Sequence, residues 1–86
     1  MTKIEKVDNG NKGRFIIYEN DEFAGELKYS RPEKSKFSID HTAVEKKFAG
    51  KGLGKKLVIN AVEYARENQL KILPHCSYAK KIIENL

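Results

Sequence analysis

The stretch Phe48–Val62, FAGKGLGKKLVINAV, runs from a glycine-rich segment into the start of an amphipathic helix. The helix is indicated by apolar residues that recur every three or four positions from Gly52 onward. These residues are Leu53, Leu57, Ala61, Tyr64 and Ala65. Lysines surround the glycines, although the helix macrodipole already places about half a positive charge at a helix start. An anion bound at this point would explain lysines that the helix alone does not favour.

Extended segments precede the glycines. RFIIYEN (Arg14–Asn20) and EFAGELKYS (Glu22–Ser30) are rich in aromatic and β-branched residues and predict a hairpin that turns at Asn20-Asp21. KFSIDHTAV (Lys36–Val44) alternates and predicts a third strand, and IEKV near the N-terminus predicts a short edge strand. The alternation of the third strand puts four residues on one face, Phe37, Ile39, His41 and Ala43, and four on the other, Ser38, Asp40, Thr42 and Val44.

After the helix, LKIL (Leu70–Leu73) predicts a short strand that ends before Pro74, and Ser77 is a plausible N-cap for a second helix. A strand–helix–strand connection is right-handed and brings its two strands parallel. We therefore predict an α/β fold of the mixed α+β type. Its antiparallel strands are followed by a crossover that sets Leu70–Leu73 parallel to Lys36–Val44, and a helix ends the chain.

Composition limits the protein class. The chain has 86 residues, which predicts one domain over residues 1–86, and a net charge of +5, which favours an anionic partner. The single cysteine, Cys76, cannot form an internal disulfide and does not suit a Cys-rich metal module, so no metal site is expected. No apolar run approaches the ~20 residues of a membrane span, and no signal peptide is recognisable, so we expect a cytoplasmic protein without membrane contact.

A strand, a glycine-rich bend and a helix start together form an arrangement that binds phosphates, because the first helical N–H groups lack partners. The spacing Gly50-x-Gly52-x-Gly54 is not the dinucleotide motif, because Lys55 stands where its last glycine would fall, and it is not a P-loop. The alternative is a flexible loop with solvated lysines. The lysines and the strand-to-helix context together favour an anion site.

The segment VEKKFAGKGLGKKLVINAVEYA (Val44–Ala65) resembles the acetyl-CoA signature of the GNAT N-acetyltransferases, Val-x-x-x-x-Arg-Gly-x-Gly-Ile-Gly-x-x-Leu. The resemblance is narrower still to the minimal GNAT-like proteins, which have a cysteine after the last strand. It rests on the short chain and on the segments HTAV (His41–Val44) and PHCSY (Pro74–Tyr78). The usual Arg or Gln of the loop is Ala49 here, which implies that backbone amides and Lys51 or Lys55 compensate for the missing contact.

The resemblance implies acetyl-CoA as the cofactor and N-acetyl transfer as the activity. It implies that Val44 pairs with the pantetheine arm and that the loop Gly50–Lys55 holds the pyrophosphate. Tyr78 would lie with Cys76 near the thioester. The implied cofactor-binding residues are Val44, Gly50, Lys51, Gly52, Leu53, Gly54, Lys55 and Tyr78.

Cys76 and His41 are the candidate catalytic residues. Cys76 lies where a strand ends and a helix begins, and a helix N-terminus lowers the pKa of a thiol. A thiolate can accept an acetyl group from a thioester, although a free cysteine is often only a small buried hydrophobe. His41 is by default a core or edge histidine. It could serve Cys76 as a general base if the strand Leu70–Leu73 pairs beside it.

Two classes of function remain open. The first is an enzyme that acetylates an unidentified amine, directly or through Cys76. The second is a non-catalytic module that binds CoA or nucleic acid. The basic cluster lacks the interleaved aromatic residues that stack on bases, which argues against nucleic acid. So small a domain offers little wall around an acceptor, and we expect a monomer or a weak dimer.

Overall fold

A computed structural model describes residues 1–86 and places five strands and two helices in the predicted order. The strands are Thr2–Asp8 (β1), Lys12–Glu19 (β2), Glu22–Ser30 (β3), Lys36–Val44 (β4) and Lys71–Pro74 (β5). The helices are Leu53–Glu67 (α1) and Ser77–Glu84 (α2), and a short 3-10 turn lies at Lys46–Phe48. The predicted mixed α/β class is confirmed.

The strands form one sheet in the order β1-β2-β3-β4-β5. The first four strands are antiparallel, and β5 is parallel to β4 across the α1 crossover, as predicted. The β2–β3 hairpin turns at Asn20 and Asp21, whose φ angles of 51° and 67° are both left-handed. Such a turn matches the natural twist of two paired strands, and Asn and Asp tolerate the left-handed region well.

Both helices pack on the same face of the sheet and close one hydrophobic core. Fully buried side chains of the sheet include Ile17, Leu27, Phe37 and Ile39. They meet the predicted apolar stripe of α1, of which Leu53, Leu57, Ala61 and Ala65 are buried and Tyr64 is half-buried. Helix α2 adds the buried Ala79. The other face of the sheet carries no helix and remains open. Neither helix is long and apolar enough to cross a bilayer.

A β-bulge in β4 changes which of its side chains face this core. Lys28 pairs with His41 and Tyr29 pairs with Ile39, which leaves Asp40 without a partner on β3. The extra residue reverses the alternation beyond it. Thr42 then faces the helices beside buried Leu27, whereas His41 is exposed on the open face. The prediction that His41 and Ala43 share the face of Phe37 is therefore wrong, because simple alternation assumes an unbroken ladder.

The start of α2 also differs from the prediction. Cys76, with an extended backbone at φ −83° and ψ 121°, is the N-cap, and Ser77 is the first helical residue. The carbonyl of Cys76 accepts the N–H of Lys80 at 2.9 Å, which is the first hydrogen bond of the helix. The prediction of Ser77 as the N-cap is one residue too late. The shift places the cysteine itself at the helix boundary.

Candidate active site

A cleft of about 490 Å³ lies between the end of β4, the glycine loop and the start of α2. Six of the predicted cofactor residues line it, namely Val44, Gly50, Gly52, Leu53, Gly54 and Tyr78. The other two, Lys51 and Lys55, are exposed and belong to the same loop and helix start. The structure therefore brings six of the eight predicted residues together around one cavity.

The start of α1 presents unpaired backbone donors at this cleft. The first helical hydrogen bond runs from the N–H of Lys56 to the carbonyl of Gly52 at 3.1 Å. The N–H groups of Leu53, Gly54 and Lys55 precede that bond and have no carbonyl to receive them. No side chain caps the helix, and its first turn holds no acidic residue. Because these donors and the helix dipole both favour negative charge, the helix start is suited to an anion.

The glycines of the loop serve two different purposes. Gly50 and Gly52 have φ angles of 81° and 75°, and a Cβ built on either would meet nothing within 4 Å. Backbone conformation, rather than space, therefore requires glycine at these two positions. At Gly54 a Cβ would collide with the hydroxyl of Tyr78 and lie 2.9 Å from its Cζ. Gly54 thus allows the Tyr78 ring to lie against the first turn of α1.

Lysines form a cationic rim around the helix start. Lys47 is paired with Glu22 at 2.8 Å, and its ammonium also lies 5.5 Å from the centre of the Phe48 ring. Lys51 lies over the same ring at 5.6 Å and has no carboxylate partner. Lys55 is likewise exposed and unpaired. These free ammonium groups add attraction for an anion that is strong at low salt and screened at high salt.

The end of β4 offers a free backbone edge in the same cleft. β5 accompanies β4 only as far as the pair Ile39 and Pro74. On the other side of β4, the N–H of Glu45 donates to the carbonyl of Ala24 at 2.8 Å. Because an antiparallel ladder alternates its bonded residues, the N–H and C=O groups of Thr42 and Val44 point away from β3. They are available to a ligand that extends along this edge.

Cys76 lies at the far end of that edge. Its N–H donates to the carbonyl of Ile39 at 3.0 Å, and its half-buried Sγ lies 3.7 Å from the hydroxyl of Thr42. Burial alone would raise the pKa of the Cys76 thiol. Hydrogen bonds from the backbone of Ala79 and Tyr78 and from Thr42 outweigh burial, so the pKa lies below its ordinary value. These donors favour the thiolate, which is the nucleophilic form of cysteine.

The two histidines do not join this group. Thr42 contacts Cys76, and neighbouring strand residues point to opposite faces, so His41 points away from the thiol. His75 is exposed just before α2. Thr42 is the residue that the sequence reasoning missed as a partner of Cys76. Simple alternation does place it opposite His41, but only the bulge at Asp40 turns it toward the core face.

Comparisons with known proteins agree with this geometry. The family model described as GCN5-related N-acetyl-transferase matches residues 14–85. A GCN5-like protein from Staphylococcus aureus, whose solution structure is known, is 39% identical with a TM-score of 0.68, over 94% of this chain and 78% of that one. Comparison with curated protein sequences gives no match.

Two crystal structures share the fold at lower identity. A GNAT family acetyltransferase from Elizabethkingia anophelis, with acetyl-CoA bound, has a TM-score of 0.77 and 14% identity over 98% of this chain and 72% of that one. A Bacillus subtilis acetyltransferase in complex with CoA has a TM-score of 0.78 and 18% identity, over 99% and 74% of the two chains. The predicted family, fold and enzyme class are confirmed, and the predicted cofactor is supported. The chain belongs to the GCN5-related N-acetyltransferases.

Proposed function

We propose that this protein takes an acetyl group from acetyl-CoA, holds it on Cys76 and transfers it to an amine. The pyrophosphate of the cofactor lies at the free N–H groups of the loop Gly50–Lys55. The pantetheine arm lies along the free edge of β4 at Val44. The observation that carries the proposal is that one cleft joins the unpaired amides of α1 to this edge, which leads to Cys76.

The fit to the cofactor rests on the chemistry of the groups present. Free amides and unpaired lysines complement two phosphates, and free strand N–H and C=O groups complement the amides of pantetheine. Ala49 offers no side-chain contact, so the backbone of the loop and the ammonium groups of Lys51 and Lys55 supply the attraction. Tyr78, which lies against Gly54, forms the wall between the loop and Cys76.

The thiol of Cys76 acts as the nucleophile. Its thiolate Sγ attacks the carbonyl carbon of the thioester, the bond from that carbon to the sulfur of CoA breaks, and CoA leaves as a thiolate. The acceptor amine then attacks the acetyl carbon on Cys76. The carbon–Sγ bond breaks, Cys76 returns to the thiolate, and the amine gives its proton to water or to the CoA thiolate that the first step released. The N–H donors of α2 and Thr42 stabilise the Cys76 thiolate in both steps.

His41 has no part in activating Cys76 in this scheme, because its side chain lies on the open face of the sheet. The lowered pKa of Cys76 replaces a base next to the thiol. Direct attack of the amine on the thioester is the other route. If the amine attacks the thioester directly, acetyl transfer continues after the thiol of Cys76 is removed.

Mass spectrometry of the protein after incubation with acetyl-CoA tests the proposal. Cys76 is the only cysteine, so an added acetyl group on its peptide identifies the intermediate without ambiguity. We expect the adduct in the native chain, and we expect Cys76→Ala to lose both the adduct and turnover. Thr42→Val, which keeps the shape but removes the hydroxyl, is the matched variant and should slow formation of the adduct.

Three results would contradict the proposal in different ways. Full transferase activity of Cys76→Ala would establish direct attack by the amine. Tight acetyl-CoA binding without an adduct or turnover would identify a non-catalytic CoA-binding module. Tighter binding of short oligonucleotides than of acetyl-CoA in the same buffer would identify a basic nucleic-acid module.

A further inference from the structure

A second groove, of about 480 Å³, crosses the open face of the sheet. It runs from the end of β1 across β2 and β3 and ends on β4 at Asp40 and His41. The next residues of β4, Thr42 to Val44, line the acetyl-CoA cleft on the other side of the sheet. The two cavities are therefore lined by successive residues of the same strand.

Three basic side chains stand in a row across this groove. Arg14 on β2 is directly opposite Lys28 on β3, and Lys28 is directly opposite His41 on β4. Like charges in directly opposed positions destabilise a sheet. Glu26 offsets part of this cost through an ion pair with Arg14 at 2.8 Å, whereas no carboxylate lies within ion-pair distance of Lys28. We call Arg14, Lys28 and His41 the basic row.

Neither of the carboxylates that line the groove is paired with the basic row. Asp8 accepts a hydrogen bond from Tyr29 at 2.9 Å and is paired with Lys6 at 3.1 Å. Asp40 accepts a hydrogen bond from the hydroxyl of Ser38. The ion pair of Arg14 uses one of its terminal nitrogens and leaves other guanidinium donors free. The basic row is therefore open to an anion from outside the chain.

The uncovered edge of β4 lies between the groove and Cys76. β5 ends at Pro74, opposite Ile39, so no strand flanks β4 on that side from Asp40 onward. Cys76 lies beside this gap, with its Sγ at Thr42. Because this edge of β4 is uncovered, it gives an acceptor a route to the acetyl group from the open face, past the basic row.

We propose that the acceptor is a small amine that also carries an anionic group, which is a carboxylate or a phosphate. This inference rests on the proposed function. The anionic group binds Lys28 and the free guanidinium donors of Arg14, and an N–H of the His41 ring donates to it. The amine then extends over the bulge of β4 toward Cys76. The basic row selects the acceptor, and Cys76 carries out the transfer.

Binding of three probes tests the site without any need for turnover. O-phosphoethanolamine and β-alanine each carry an amine and an anion, whereas ethanolamine carries the amine alone. We expect the first two to shift the NMR amide signals of Arg14, Lys28 and His41 in the native chain, and ethanolamine to shift none of them. A stronger effect of the phosphate or of the carboxylate identifies the anionic group. Equal shifts with ethanolamine, or no shifts with any probe, would overturn the proposal.

Variants that remove single charges test whether the anionic probes bind at the basic row. Lys28→Met should weaken binding of the anionic probes by about tenfold, the loss expected for a charged hydrogen bond. Lys28→Arg should retain it. Lys71→Met removes the same charge from an exposed position outside both cavities and is the control. Unchanged binding to Lys28→Met, or an equal loss in Lys71→Met, would show that the basic row is not the site.

Transfer kinetics separate this inference from the proposed function. In the native chain, O-phosphoethanolamine or β-alanine should be acetylated at a lower KM than ethanolamine, and Lys28→Met should abolish the difference while acetyl-CoA affinity stays unchanged. Acetylation of all three amines with the same KM would overturn the acceptor inference and leave the acetyltransferase intact. Absence of acetyl-CoA binding would overturn the proposed function, while the NMR experiment would still report on the basic row.

Discussion

Replacement of Gly52 by aspartate and by asparagine measures how strongly the helix start attracts an anion. Both side chains have the same shape, and both tolerate the left-handed backbone that Gly52 adopts at φ 75°. A Cβ there meets no other atom within 4 Å, so backbone strain is the main cost to stability. We expect both variants to fold, with a loss of about 1–2 kcal/mol in the free energy of unfolding.

The two variants differ only in charge. Two unit charges ~4 Å apart repel by about 1 kcal/mol in water and about 4 kcal/mol near a protein surface. With roughly two negative charges on the pyrophosphate, the aspartate costs at least about 2 kcal/mol, which is about 30-fold in affinity. Gly52→Asp should therefore bind acetyl-CoA at least about 30-fold more weakly than Gly52→Asn.

Isothermal titration calorimetry with acetyl-CoA at low and at moderate salt provides the measurement. The difference between the two variants should shrink as salt rises, because exposed charges are screened. Thermal unfolding of both variants serves as the control for folding. Equal affinities of Gly52→Asp and Gly52→Asn for acetyl-CoA at low salt would refute the placement of the pyrophosphate at this loop.

Three further predictions follow from the same structure. Cys76 should react with iodoacetamide near neutral pH faster than a cysteine in an unstructured peptide. Bound CoA should protect Cys76, and Thr42→Val should slow the reaction. Slow alkylation that CoA does not affect would contradict the lowered pKa of the thiol. Gly54→Ala should displace Tyr78 into the cleft and weaken acetyl-CoA binding with little change in Tm, and the added Tyr78→Ala should restore binding if the displaced ring is the cause. Hydrogen bonds from Tyr29 and Lys6 hold the pKa of Asp8 below its ordinary value, so its contribution to stability is present above about pH 4 and is lost as the pH falls further. Asp8→Asn should therefore unfold with a weaker dependence on acid than the native chain, and parallel acid profiles of the two proteins would contradict this.

Local patterns in the sequence were sufficient for most of the fold. The stripe of α1 repeats with the helical period, and of its five residues Leu53, Leu57, Ala61 and Ala65 are buried and Tyr64 is half-buried. The Asn20-Asp21 turn and the left-handed Gly50 and Gly52 follow from the backbone preferences of single residues. The strand–helix–strand order is enough to make β5 parallel to β4, because the crossover admits one direction. The proposed anion site could be placed for the same reason, since it consists of backbone groups at a helix start.

Tertiary structure decided which side chains meet. Whether Asp40 forms a bulge depends on how β4 pairs with β3, and no local period of β4 reports that pairing. This one extra residue turns Thr42 toward Cys76 and sends His41 to the open face. There His41 aligns with Lys28 and Arg14, a row that exists only through the register of three strands. Sequence alone determined the helices, the turns and the glycine-rich loop, because short-range geometry dictates them. The partners of Cys76 and the character of the open face depend on how the strands pair and therefore required the structure.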